Sequence, residues 1–451
     1  MKIIALISVY ICCVLMFFLK KEYKIAIVFL SSIIFTLVIV PTPFYKATTL
    51  IATCFLLSEI PHISSLIRNS KKSIIWKITG VVIVSVVISI IMSPHLNNSH
   101  DIVMYIRDEL FAKYLIIIYA FWAYKDDKSL KPTLKLSFIG LIILTLFGIL
   151  NYITKNADFV SEMMSGIVSN AKGANGNDAG SYYTFADRFR VQAMFANPFD
   201  YGYICLLILL IHLYGYNRHL EKLKSFIIVL ICSLFGIISC GCRTILFCFM
   251  ISISIYLLLA LKPQKYLRIL LVIIFLIPLS YQTIPAVQEQ TDKMLSIFNE
   301  NSQVTGSSLE MRSLQYATVM FYIQDSPWFG RGIGFFGIDL GWGNGQIVDK
   351  DLAGLEGVVM SKLLEEGFIG LILYLSYYII LIVYLLKKRK ESRETSALGI
   401  SIIALYLTFA NMTGELLSVF PSLLCIGYVL KVLDNDKVNI TLSQKVNKRH
   451  L

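Results

Sequence analysis

Residues 367–390 read GFIGLILYLSYYIILIVYLLKKRK: twenty positions without a formal charge, then four consecutive basic residues, Lys387 to Lys390. A helix rising about 1.5 Å per residue needs roughly 20 apolar residues to cross the hydrocarbon of a bilayer. Backbone N–H and C=O groups find no water inside that layer, so an uninterrupted apolar run of this length must be helical. The same pattern recurs on both sides. Toward the N-terminus lie Tyr266–Ile284, Thr244–Leu261, Ser225–Cys240, Phe199–Tyr216, Leu134–Tyr152, Leu110–Tyr124, Ile74–Met92, Ala47–Ile60, Ile25–Val40 and Ile3–Leu19. Toward the C-terminus lie Ala397–Ala410 and Leu416–Leu433. The expected fold is an all-α polytopic transmembrane bundle of roughly 13 spans, one integral membrane domain over residues 1–451. Lys20-Lys21 follows the first run with no small-residue cleavage site before it. That run therefore reads as a retained helix, not a signal peptide.

Composition points the same way. Hydrophobic residues make up 56% of the chain and mean hydropathy is +0.70, outside the range of soluble domains. In a soluble chain the net charge of +12 would suggest nucleic acid. Here the basic residues occupy every second short loop: Lys20/Lys21/Lys24, Arg68/Lys71/Lys72, Lys125/Lys128/Lys131/Lys135, Arg218/Lys222/Lys224, Lys262/Lys265/Arg268 and Lys387–Arg393. The positive-inside rule makes those loops cytoplasmic, together with the basic C-terminal tail, and puts the N-terminus outside. No basic patch interleaved with aromatics suggests nucleic acid as a partner. Two long segments, 153–198 and 284–367, then fall on the extracytoplasmic side. The nine cysteines show no metal-ligand spacing and mostly lie within apolar runs, as small packing residues do. Cys240 and Cys242 are the one close pair, with poor disulfide geometry on a helix.

The second long segment holds the chemistry. Ser307 with Glu310 three residues on forms a capping box, so a helix should start there, and Pro327 should end it. Leu309, Tyr316, Val319, Met320 and Ile323 share a face with Arg312, which therefore heads the buried side and needs an anion. Arg188, Arg190, Arg243 and Arg331 fall on the same side of the membrane, where positive residues are least expected. Snorkelling accounts equally well for Arg243 at its helix end. A shared reason for the set is a polyanion such as diphosphate, which arginine holds bidentately. The stretches Gly330-Arg331-Gly332-Ile333-Gly334 and Gly341-Trp342-Gly343-Asn344-Gly345 lack the lysine of a P-loop. They read as tight turns or as amides cradling phosphate. Trp328, Phe329, Phe335, Phe336 and Trp342 suit either sugar stacking or an interfacial aromatic belt. No histidine lies in this segment and no cluster has metal spacing, so a carboxylate must serve as any general base. Glu356, just before a segment leading into a span, is the candidate.

These residues resemble the O-antigen polymerase/ligase superfamily of bacterial membrane glycosyltransferases. The resemblance rests on Arg190 followed by Asn197-Pro198, on Ser239-Cys240-Gly241-Cys242-Arg243-Thr244, and on Arg312 ahead of Asp325-Ser326-Pro327-Trp328-Phe329-Gly330-Arg331-Gly332-Ile333-Gly334. It also rests on Leu364-Glu365-Glu366-Gly367-Phe368-Ile369-Gly370. It implies a cofactor-free, metal-independent enzyme of the bacterial cytoplasmic (inner) membrane, acting outside on polyprenyl-diphosphate-linked oligosaccharide. It implies further that Arg190, Arg243 and Arg312 handle the diphosphate; Arg331 is added to them here. Ligases of the superfamily carry His-Asn about nine residues before the equivalent of Glu365, where this chain has Glu356-Gly357. That departure favours a repeat-unit polymerase for O-antigen or capsule-type glycan, which leaves room for a chain-length regulator as partner. The alternatives are a ligase, or a flippase with inverted repeats and broken midplane helices.

Overall fold

The computed structural model describes residues 2–36, 38, 40, 47–62, 73–96, 99–106, 116–156, 184–185, 188–195, 197–262, 264, 281–283, 288, 292, 309–340, 349, 351–352, 355, 357–414 and 420–447. The apolar runs are helices: α1 Lys2–Phe18, α2 Lys21–Ile34, α3 Ala47–Glu59, α4 Ile74–Met92, α5 Ser99–Ile106, α6 Ile116–Ala123 and α7 Lys131–Thr154. They continue as α8 Pro198–Asn217, α9 Leu223–Ser239, α10 Arg243–Ala260, α11 Leu309–Tyr322, α12 Phe335–Ile338, α13 Val358–Lys388, α14 Arg393–Thr413 and α15 Phe420–Asn447. The chain is thus an all-α polytopic membrane protein. Among the described residues, α4, α8, α10, α13, α14 and α7 with its preceding turn are long and apolar enough to cross a membrane, and α1 and α9 are shorter apolar helices. The expected span Tyr266–Ile284 lies outside the described residues except at its end. The first long segment holds one short antiparallel pair, Thr184–Phe185 with Arg188–Phe189.

Two helices form the hub. Almost every residue of α8 is buried, and so is most of α14, as expected of helices apolar on all sides. Asn197 starts α8 by accepting from Asp200 N at 2.8 Å, with Pro198 at the first helical position. The Asn197-Pro198 turn is therefore a helix cap. Arg389 and Arg393 donate from Nε to Leu259 O at 3.3 and 2.8 Å. Because α10 and α14 pack along their lengths, these bonds make them antiparallel. Arg243 and Met412 then share the opposite end of the bundle.

Among the described residues the basic loops gather at one end. Lys24 pairs with Glu59 at 2.7 Å, Lys125 with Glu22 at 3.7 Å, and Arg218 with both Asp127 and Glu394. His212 joins Glu221 at 2.5 Å and Ser137 at 3.0 Å nearby. At the other end the first long segment packs onto the bundle. Val191 N donates to Ser239 O at 3.1 Å, and Thr36 Oγ1 to Met194 O at 3.0 Å. A second, smaller apolar core of Val319, Ile323, Phe335, Leu340, Leu352, Leu363 and Leu364 joins α11 and α12 to the start of α13. All nine cysteines are free.

Candidate functional site

The site is built on a broken helix. Helix α13 begins at Val358, nine residues before the run that sequence reading took as the span, and breaks at Gly367, where φ is 65° and ψ −165°. In an unbroken helix Phe368 N and Ile369 N would bond Leu364 O and Glu365 O. Here they donate instead to Pro327 O at 2.9 Å and Trp328 O at 3.0 Å. The two released carbonyls accept from Arg331 N and Gly332 N, both at 2.9 Å. The loop 327–332 thus threads into the break and satisfies these four backbone groups, as a membrane-edge site demands.

That exchange requires glycine on both sides. Gly330 has φ 68°, and a Cβ there would lie 2.6 Å from Glu365 C and from Gly367 N. A Cβ on Gly367 would lie 2.5 Å from Gly330 N and Trp328 C. The stretch Gly330–Gly334 turns tightly, with positive φ at all three glycines, whereas Gly341–Gly345 lies outside the described residues; the two family-like motifs that sequence could only place in order are one interlocked piece. Glu365 tightens it by accepting from Gly334 N at 3.1 Å and Phe336 N at 3.4 Å. Ser93, just past α4, donates to Ile333 O at 3.0 Å.

Three of the four expected diphosphate arginines come to this end of the bundle. Arg190 lies against the turn between α9 and α10, with Cγ 3.3 Å from where a Gly241 Cβ would be. Arg243 opens α10 at that same turn. Arg312 donates from Nη2 to Met412 O at 3.1 Å, near the end of the helix that runs antiparallel to α10. It does head a buried stripe, which continues through Gln315 and Val319. Met320, expected on that stripe, is instead 47% exposed, because the stripe follows positions three and seven from Arg312. Arg331 is differently engaged: Nε donates to Tyr322 O at 2.6 Å, and Nη2 pairs with Asp325 at 2.5 Å. Its guanidinium braces the end of α11.

Glu356 and Ser307 lie outside the described residues. Several other carboxylates of this segment have partners. Asp349 accepts from Tyr322 OH at 3.0 Å, and burial together with this carboxylate raises the tyrosine pKa. Asp339 sits 3.0 Å from His95 Nε2. Glu365 and Glu366, just ahead of the expected span start at Gly367, lie inside α13 immediately before its break. Glu366 is buried and paired with Lys362. Sequence reading missed His95, because it sits in the short loop after α4 and reaches the glycine loop only through the fold. Among the described residues no group of side chains could hold a metal ion.

No curated protein matches the chain. Residues 228–375 match the family model described as O-antigen ligase. The interval contains most of α9, the whole of α10 with Arg243, Arg312, the glycine loop and the break in α13. That match supports the O-antigen polymerase/ligase superfamily for this chain, a family of membrane glycosyltransferase-like enzymes.

Proposed function

We propose that the protein is a repeat-unit polymerase of surface polysaccharide. It transfers a growing glycan from polyprenyl diphosphate to a hydroxyl of the next lipid-linked unit, on the extracytoplasmic face of the cytoplasmic membrane. The observation that supports the reading is the placement of Arg190, Arg243 and Arg312 at the end of the bundle away from the described basic loops. There the positive-inside rule gives no reason for arginine. As the diphosphate leaves, its negative charge grows, and preorganised guanidinium groups, Arg312 among them held by Met412 O, lower the barrier. Arg331, already committed to Tyr322 O and Asp325, supports this set through the loop. Glu356 is the proposed general base, taking the proton of the acceptor hydroxyl as the new glycosidic bond forms. A single displacement of this kind inverts the anomeric carbon.

The polymerase reading over the ligase rests on Glu356-Gly357 standing where ligases of the family carry His-Asn. The glycan profile after deletion of the gene separates the classes. Loss of a polymerase leaves single repeat units on the final acceptor. Polymer retained on the lipid carrier would mean a ligase, and no glycan outside would mean a flippase. Glu356→Gln is expected to slow polymerisation by about 10²–10⁴ while leaving lipid-linked substrate bound, as loss of a general base does. Near-normal polymer from that variant would remove Glu356 from the mechanism.

A further inference from the structure

Helix α11 carries its only charges, Glu310 and Arg312, in its first turn, and the rest of it is mostly apolar. At 14 residues it is too short to cross a bilayer, which takes roughly 20. Both of its ends are nevertheless tied to helices that are long enough to cross. Arg312 donates to Met412 O near the end of α14. Tyr322 O accepts from Nε of Arg331, in the loop that threads into the break of α13. The helix therefore lies along the rim of the bundle at the arginine end. One side of it joins the small apolar core, with Val319 and Ile323 against Leu363 and Leu364. The other side exposes Leu314, Met320 and Phe321, at 47%, 47% and 67%. A helix apolar on both sides belongs inside a protein or a membrane, and large apolar side chains grouped on a free face call for a partner.

Continuity with a lipid-facing surface identifies that partner. Trp328, just past α11, is exposed, and its ring stands edge-on to Phe368 with centroids 6.3 Å apart. Phe368 heads an exposed stripe of α13 that runs through Ile372, Ile379, Val383 and Leu386 at helical spacing. On a helix long and apolar enough to span, such a stripe faces lipid. Trp328 carries it past the break to the end of α11. Ser313, Gln324 and Asp325 are exposed on or beside the same helix, which suits the headgroup boundary and not the hydrocarbon centre. Tryptophan is itself enriched at that depth. We propose that α11 is an interfacial anchor: Leu314, Met320, Phe321 and Trp328 insert among the acyl chains of the leaflet at the arginine end. Arg312, in the first turn, is thereby held at the level of lipid phosphates. The contact rests on the fold alone, so it stands or falls separately from the polymerase reading.

The test uses the full-length protein in phosphatidylcholine nanodiscs. Trp76→Phe, Trp122→Phe and Trp342→Phe together leave Trp328 as the one tryptophan. With lipid brominated high on its acyl chains, Trp328 is expected to lose about half of its emission, as a ring about 5–10 Å into the headgroup boundary does. Bromine near the chain ends should quench it less, and aqueous acrylamide should quench it little. Strong quenching by acrylamide with none by either lipid would overturn the anchor. A second measurement leaves the tryptophans alone: p-benzoylphenylalanine in place of Phe321, irradiated in the same nanodiscs and read by mass spectrometry. A phospholipid adduct is the expected product. A cross-link within the chain, a cross-link to a second copy, or no adduct at all would each overturn the proposal. Should the triple tryptophan variant fail to fold, the product at Phe321 alone decides.

Discussion

The two ends of the bundle are held shut by different chemistry. At the basic end every bond of the clasp involves a side chain: Asp127 Oδ1 accepts from Tyr214 OH and Tyr428 OH, each at 3.1 Å, Arg218 bridges Asp127 and Glu394, and Arg389 and Arg393 reach Leu259 O. At the arginine end the bonds run between main chains, in the exchange of 327–332 with 364–369. Side-chain clasps tolerate replacement, because each pair contributes modestly and water can stand in. A main-chain exchange at Gly330 and Gly367 has no substitute, because any side chain collides with backbone. The end proposed to hold the diphosphate is thus the one whose geometry is set largely by backbone, and the opposite end is closed largely by side-chain charges.

The contrast breaks most sharply at the glycines. Gly330→Ala or Gly367→Ala is expected to cost more than about 4 kcal/mol, in the class of severe lesions, and to lower the yield of monodisperse protein on size exclusion in mild detergent. Normal yield and activity for both would mean that the exchange is not what holds the loop. Next comes Asp127→Ala, which strips the acceptor from two buried tyrosine hydroxyls at the cost of about 1–3 kcal/mol. The melting midpoint should fall while activity per folded molecule stays unchanged; a selective loss of activity would contradict the division of labour between the ends. The smallest effect is expected from Asp325→Asn. Its carboxylate is 75% exposed in the pair with Arg331, so a change within about 1 kcal/mol is expected by thermal melting.

Much of this was legible in the sequence, for particular reasons. Helix positions followed from apolar runs, because a bilayer leaves the backbone no other choice. The grouping of the basic loops at one end followed from their alternation, and the structure joins Lys24, Lys125 and Arg218 there to carboxylates of neighbouring loops. The placement of Arg312 on a buried stripe was readable from helical spacing. The break at Gly367 was not, since glycine inside an apolar run is common in spanning helices, and only the incoming loop shows that this one leaves helical geometry. Nor was the approach of Ser93 and His95 to the glycine loop, which depends on how α4 packs against α13. Arg331 reads in sequence like the other arginines, and its bonds to Tyr322 O and Asp325 appear only once the loop is folded.

The central claim is that guanidinium groups at this end bind a lipid diphosphate, and Arg312 tests it most directly. The measurement is binding of undecaprenyl diphosphate to nanodisc-embedded wild type, Arg312→Ala and Arg312→Lys, each first shown to be folded by its melting midpoint. Arg312→Ala is predicted to lose binding by at least about tenfold, and Arg312→Lys to recover little of it, because lysine cannot make the bidentate contact. Wild-type affinity in a folded Arg312→Ala protein would contradict the account.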